Sequence, residues 1–177
     1  MRIISGKYRG KKLKEFELSS TKPTLDRVKE AIFNLIQFDV QDAVVLDLFS
    51  GTGALGIEAI SRGAKKTYLI DNNKDAIRII KENLKGLNGD FEVVQTDYST
   101  FLQSPKTKFD IVLLDPPYKT DFGIKAINML IENNLLNENS IIIFETSEEK
   151  DVDLNLRGVD VKRKKYGTVA VYKIEKE

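Results

Sequence analysis

Asp115-Pro116-Pro117-Tyr118 directly follows the apolar run Phe109-Asp-Ile-Val-Leu-Leu114, which reads as a buried strand. Prolines lack a backbone donor, so two in succession end a sheet ladder. The strand hands over to a rigid turn that gathers a carboxylate, prolyl carbonyls and an aromatic ring. Such a set suits a planar group bearing an NH2: a carboxylate and a carbonyl accept its two N–H bonds while the ring stacks on its face. The competing reading is a strand-ending turn with a partly buried tyrosine, and the tetrapeptide alone does not separate the two.

The chemistry open to this turn is narrowed by two absences. The 177 residues include no cysteine and no histidine. That removes thiol nucleophiles, Ser-His triads, imidazole bases and the favoured zinc ligands. The remaining means are carboxylates, hydroxyls, amines, backbone groups or a bound cofactor. The length predicts one well-buried domain spanning 1–177, with a basic arm over 1–24 and a helix plus core over 25–177. A composition of 41% hydrophobic and 31% charged residues fits a soluble globular protein. With no membrane-length apolar stretch and no opening signal peptide, the expectation is a cytoplasmic protein without membrane contact.

Charge is unevenly spread. Residues 1–14 carry Arg2, Lys7, Arg9, Lys11, Lys12 and Lys14 and no acid, against 22 basic and 27 acidic residues in the remainder, a balance of −5. A basic arm on a mildly acidic body points to a polyanion, with Tyr8 able to stack on a base. A second run, Lys162-Arg-Lys-Lys165, precedes Tyr166. Either run alone reads as solvated surface, and the two together tilt towards nucleic acid.

The elements that must position these groups alternate in type. Arg2–Ser5 and Lys11–Leu13 suggest a small hairpin around Gly6 and Gly10, and Lys22-Pro23-Thr24 a turn. Asp26–Gln37 has apolar residues at helical spacing, with Thr24 or Asp26 as cap. Strands are expected at Val44–Phe49, Thr67–Ile70, Phe91–Gln95, Ile111–Leu114 and Ser140–Phe144, and helices at Ala54–Arg62, Lys74–Leu84, Tyr98–Leu102 and Ile124–Ile131. Val159–Val161 and Thr168–Ile174 alternate like an antiparallel hairpin turning near Tyr166-Gly167. Strands alternating with helices imply a mostly parallel sheet covered on both faces.

Ligands of such sheets bind beyond the C-terminal strand ends. The first strand is followed by Gly51-Thr-Gly53-Ala-Leu-Gly56, a G-x-G-x-x-G pattern. Asp71 follows the second strand, about 20 residues past Gly51, at the offset where an acid meets ribose hydroxyls. Thr96-Asp97-Tyr98 follows the third and Asp-Pro-Pro-Tyr the fourth. A nucleoside-containing cofactor is implied. A dinucleotide would use the glycine loop for pyrophosphate and Asp71 for ribose. S-adenosyl-L-methionine would use Asp47 near its ammonium, Asp71 for ribose and Asp97 near adenine. Asp47 inside an apolar strand needs a cation or backbone donors, and a zwitterionic ligand supplies the former.

Asp47-Leu-Phe-Ser-Gly-Thr-Gly53 together with Asp115-Pro-Pro-Tyr118 resembles the S-adenosylmethionine-dependent amino-methyltransferases. Arg2-Ile-Ile-Ser-Gly-Lys-Tyr-Arg-Gly-Lys-Lys-Leu13 and Lys22-Pro-Thr-Leu-Asp-Arg-Val-Lys-Glu-Ala-Ile-Phe-Asn34 narrow the match. They resemble the opening of the bacterial 16S rRNA guanine-N2 methyltransferases that modify guanine-966. The resemblance extends to the terminal hairpin. It implies a Rossmann-like class I methyltransferase: an α/β fold with a seven-stranded, mostly parallel sheet, an antiparallel last strand, helices on both faces and a small N-terminal extension. It implies a cofactor site of Asp47, Phe49, Gly51, Gly53, Asp71, Asn72, Asp97 and Tyr98, and no metal. It places Asp115, Pro116 and Tyr118 at the methyl acceptor. The expected RNA contacts are Arg2, Lys7, Tyr8, Arg9, Lys11, Lys12 and Arg27, with 16S rRNA, free or in a small-subunit assembly intermediate, as partner of a monomer. Three positions depart from the family pattern: Lys22 for a frequent Arg, Leu25 for Thr, and Asp71 for a frequent Glu.

The resemblance also implies a mechanism. A guanine N2 lone pair is delocalised into the ring and is a poor nucleophile. Hydrogen bonds from the NH2 to Asp115 and the Pro116 carbonyl favour a pyramidal nitrogen aimed at the methyl group, for in-line transfer. Tyr118 stacks on a base that has left its helix or is already unpaired. Rival readings are an amino-methyltransferase for another rRNA base, for DNA adenine or for protein; a nicotinamide-dependent oxidoreductase; and a non-enzymatic RNA-binding domain.

Overall fold

A computed structural model describes residues 1–17, 23–104, 107–150 and 152–177, the side chains of residues 23–25 excepted. Short apolar runs form the sheet: β1 (Val44–Asp47), β2 (Lys66–Asp71), β3 (Phe91–Gln95), β4 (Phe109–Leu114), β5 (Leu136–Ser147), β6 (Val159–Tyr166) and β7 (Val169–Lys176). Their order is β3-β2-β1-β4-β5-β7-β6. The β3-β2-β1-β4-β5 pairings are parallel, and β7 runs antiparallel to both β5 and β6. The expected mostly parallel seven-stranded sheet is present.

Helices cover both faces because successive strand residues point to opposite sides. Val45, Ile111, Leu113 and Ile143 pack with Val28, Ile32, Phe33 and Ile36 of α1 (Pro23–Leu35) and the turn that follows it. Leu46, Val112, Leu114, Ile142 and Phe144 pack on the other side with Ala126, Ile127 and Leu130 of α5 (Phe122–Glu132) and Leu102 of α4 (Tyr98–Gln103). A third cluster joins Ile57 and Ile60 of α2 (Ala54–Ser61) and Ile77, Ile80 and Leu84 of α3 (Lys74–Leu84) to Ile3 and Leu13 of the arm. Each buried side chain of this size contributes roughly 1.5–3 kcal/mol.

Several element bounds differ from expectation, β6 among them, which runs Val159–Tyr166 where Val159–Val161 is expected. Helix α1 begins at Pro23, not Asp26, because proline's fixed φ suits a first turn where its missing N–H is no loss. Thr24 and Asp26 therefore sit inside the helix and do not cap it; Lys22 lies outside the described residues. The chain leaves the helix at Leu35, and the Asp39 amide turns back onto the Ile36 carbonyl at 3.0 Å. Strand β1 stops at Asp47, two residues short of Phe49. Strand β5 is far longer than Ser140–Phe144, since polar Asn137–Asn139 continue it past a register shift opposite Phe109–Ile111.

The N-terminal arm forms a hairpin held by one bridge, Arg2 with Lys12, and by flanking backbone bonds. It is latched to α2. The buried Glu58 carboxylate accepts the Ile4 and Ser5 amides at 2.9 and 3.0 Å and Arg62 Nε at 2.8 Å, and Lys29 Nζ lies 3.5 Å away. Ser61 adds bonds to Ser5, Lys7 and Tyr8. Gly6, at φ 85°, leaves room for this approach, since a Cβ there would lie 2.0 Å from the Ser61 carbonyl oxygen.

Candidate active site

The direction of the connections reverses between β1 and β4, so the crevice of the sheet opens beyond their C-terminal ends. A cavity of about 590 Å³ lies there, lined by residues following β1, β2, β3 and β4. Strand pairing brings these ends together. Asp47 stands opposite Leu69 and Leu113, and Asp71 opposite Gln95.

The floor is the glycine loop. The Asp47 side chain is buried, and one carboxylate oxygen accepts the Gly56 amide at 2.9 Å. Its other oxygen, Oδ1, has no hydrogen-bond partner within the described residues. Burial pushes the Asp47 carboxyl up to about 7, against the Gly56 amide, which favours the charged form. Gly53 caps α2 at φ 83°, in the left-handed region that glycine adopts freely. Asp71 binds both sides of the loop mouth, with Oδ2 accepting the Gly51 amide and Oδ1 the Asn73 amide, each at 2.9 Å.

One wall is aromatic. Phe49 and Tyr98 lie 5.3 Å apart between ring centroids, and Tyr98 and Phe122 lie 5.2 Å apart. Asp97 projects at the rim and caps α4, accepting the Thr100 amide at 2.9 Å and the Ser99 and Thr100 hydroxyls. These bonds, that from Ser99 foremost, hold its carboxyl down at about 2.

The opposite wall is Asp115-Pro-Pro-Tyr118. Pro116 is buried, while Asp115, Pro117 and Tyr118 open to the cavity. Leu114 pairs with Phe144, so the next residues outward on these two strands are Asp115 and Glu145. The Tyr118 hydroxyl donates to Glu145 Oε1 at 2.7 Å. Asp115 is exposed to the cavity. Desolvation by the protein packed behind it raises its carboxyl well above the usual range, and the Glu145 and Asp47 charges raise it further. Burial also raises Glu145, opposed by the Tyr118 hydrogen bond. Burial followed by the Glu145 charge raises the Tyr118 phenol. Lys150 Nζ reaches the Tyr118 and Thr120 carbonyls and ties down the far end of the turn.

Phe49, Gly51, Asp71, Asn72, Asp97, Tyr98, Asp115, Pro116 and Tyr118 thus share one cavity. Asp47 and Gly53 lie outside its lining, with Asp47 bonded to the loop from within. The arm residues form a separate group. Arg2, Lys7, Arg9, Lys12 and Arg27 are exposed, and Lys11 Nζ donates to the Lys85 carbonyl. Tyr8 is partly buried, and its hydroxyl donates to the Asn88 carbonyl and accepts the Asn88 amide. The Lys162–Lys165 run lies along the edge strand β6. There Lys162 pairs with Asp160 and Glu175, and Arg163 and Lys165 with Glu148. Sequence reasoning missed Phe16, Phe122 and Glu145. Only Glu145 carried a readable signal, an acid directly after the buried run Ile141–Phe144.

This sheet order, its antiparallel last pairing and a cavity at the β1–β4 switch define the class I methyltransferase fold. The chain belongs to the family described as conserved hypothetical protein 95, whose model matches residues 1–175. It is 39% identical over 155 residues to the ribosomal RNA small subunit methyltransferase D of Haemophilus influenzae, covering 85% of this chain and 80% of that one. It is 33% identical over 175 residues to the enzyme of the same name from Escherichia coli, covering 98% and 88%. The solved structure of YhhF from Escherichia coli matches with a TM-score of 0.90 at 32% identity, covering 100% of this chain and 98% of that one.

Proposed function

We propose that the protein transfers a methyl group from S-adenosylmethionine to the exocyclic N2 amine of a guanine in 16S ribosomal RNA. The observation that carries this reading is the single cavity shared by the glycine loop, Asp71 and the Asp115–Tyr118 turn. The names of the relatives from Haemophilus influenzae and Escherichia coli support the substrate class.

The residues fit the cofactor. Asp47 Oδ1 is a buried acceptor without a partner among the described residues, suited to an ammonium group. A Cβ at Gly51 would meet open space, so a ligand can approach the backbone there. Asp71 and Asn72 would hold ribose hydroxyls, and Phe49 and Tyr98 would flank the adenine. When bound, S-adenosylmethionine supplies an electrophilic methyl group on a sulfonium centre. Asp115 and the Pro116 carbonyl accept the two N–H bonds of the guanine amine and orient its lone pair. Tyr118 stacks on the base. The raised carboxyl of Asp115 is suited to receive the proton that the amine releases on methylation. The arm residues Arg2, Lys7, Arg9, Lys11 and Lys12, with Arg27, supply the phosphate contacts, and Tyr8 faces the same RNA.

Calorimetry with S-adenosylmethionine and NAD tests the cofactor. Binding of S-adenosylmethionine alone is expected; binding of NAD in its place would overturn the reading. Asp115→Ala is expected to abolish methyl incorporation into 16S rRNA with cofactor affinity changed less than about threefold, as for a group that acts on the acceptor alone. Full activity in that variant would remove Asp115 from the acceptor site.

A further inference from the structure

We propose that Glu145 is a positioning residue of the acceptor site: its carboxyl holds the Tyr118 hydroxyl and so fixes the plane on which the target base stacks. The inference rests on the methyl-transfer reading above. Glu145 is 6% exposed and lies near the C-terminal end of β5, a central strand held by β4 on one side and β7 on the other. Tyr118, by contrast, is 37% exposed and sits on the turn after β4. A ring on such a turn has two side-chain torsions to settle, and a stacking platform is useful only if both are set before the base arrives. The 2.7 Å bond to Glu145 anchors the far end of the ring to the rigid sheet. Lys150 anchors the same residue through its backbone carbonyl. Tyr118 is thus held at both ends, and Glu145 need not touch the substrate.

Glu145 has a second consequence through its neighbour. The charged groups that face Asp115 are Glu145 from β5 and Asp47 from β1, while Tyr118 and Glu145 face each other. Adjacent carboxyls resist ionising together. The Glu145 charge that accepts the tyrosine hydroxyl also holds the Asp115 carboxyl up, so one side chain sets both the stacking ring and the acceptor acid beside it.

The test combines Glu145→Ala, Glu145→Gln and Tyr118→Phe. Tyr118→Phe keeps the ring on an exposed turn and serves should Glu145→Ala fail to fold. Glu145→Ala and Tyr118→Phe are each expected to lower kcat/KM for RNA about tenfold, the equivalent of one hydrogen bond, with unchanged S-adenosylmethionine affinity. The double variant should fall no further. Glu145→Gln, which retains an acceptor, should recover most of the loss and move the acid limb of the pH profile to lower pH, because a like charge beside Asp115 is gone. Independently of activity, the melting-temperature losses of Glu145→Ala and Tyr118→Phe should be less than additive. Additive losses in either measurement, or Glu145→Ala at wild-type kcat/KM, would overturn the role. A wild-type protein that methylates no RNA, with the melting losses still non-additive, would refute the methyl-transfer reading and the role with it, while leaving the Glu145–Tyr118 pair intact.

Discussion

Replacing Glu58 should detach the N-terminal arm while sparing the cofactor cavity. Glu58 is inaccessible and gathers four donors: the Ile4 and Ser5 amides at 2.9 and 3.0 Å, Arg62 Nε at 2.8 Å and Lys29 Nζ at 3.5 Å. Lys29 is itself 3% exposed, and its ammonium also donates to the Arg2 carbonyl at 2.7 Å. Burial lowers the Lys29 pKa, and Glu58 opposes that shift more than any other group does. Glu58→Ala leaves a buried ammonium without its nearest counter-charge and two amides without acceptors. Breaking a buried pair from one side costs about 3–5 kcal/mol. At a urea dependence of about 2 kcal/mol/M, the midpoint should fall by about 2 M. Glu58→Gln keeps one acceptor but turns an NH2 towards donors, for a loss of about 1–3 kcal/mol. Urea unfolding gives the stability, and hydrogen exchange at Ile4 and Ser5 reports the latch directly. Both amides should lose protection, and RNA affinity should fall while S-adenosylmethionine affinity holds. A Glu58→Ala protein within about 1 kcal/mol of wild type, with both amides still protected, would refute the latch.

Gly123→Ala should destabilise by about 1–3 kcal/mol, since its Cβ would lie 2.3 Å from Phe144 Cε2 in a packed core; thermal unfolding checks it, and an unchanged midpoint would contradict the α5–β5 packing. Asp47 sets a pH dependence. Its folded value of about 7 lies above the unfolded carboxylate value, so its contribution to stability is complete below about pH 4 and is lost as pH rises through about 7. Asp47→Asn should flatten that decline in denaturation curves taken from pH 4 to 8, and an unaltered slope would show that Asp47 is already ionised when folded. Charge reversal at Lys11 and Lys12 should weaken RNA binding and reduce the slope of log affinity against log salt by about 1 for each phosphate no longer neutralised, whereas an unchanged slope would exclude the arm from the interface.

Much of the site is legible in the sequence because each acid interrupts or ends an apolar strand. Asp47, Asp71 and Asp115 stand out against Val44–Leu48, Thr67–Ile70 and Ile111–Leu114, and the strand ends of a parallel sheet converge without knowledge of packing. Glu145 ends a comparable run, but its importance depends on the register that sets Leu114 beside Phe144. Registers are tertiary facts. The same holds for Glu58, a mid-helix acid that looks solvated until the arm folds over it. Phe16 and Phe122 join the cavity only through the packing of the arm and of the turn after Tyr118. The length of β5 is hidden because Asn137-Glu-Asn139 reads as loop, although the Asn137 side chain donates to Asp110 at 2.8 Å and holds the strand in place.

The central claim is that Asp115-Pro-Pro-Tyr118 holds a guanine by its N2 amine for methylation. The most direct test is mass mapping of 16S rRNA from cells with the gene, without it, and with the gene carrying Asp115→Ala. A single methyl group on the N2 of one guanine should be present in the first and missing from the other two. A methyl pattern identical in all three, or a lost methyl on an atom other than an exocyclic guanine nitrogen, would contradict the account.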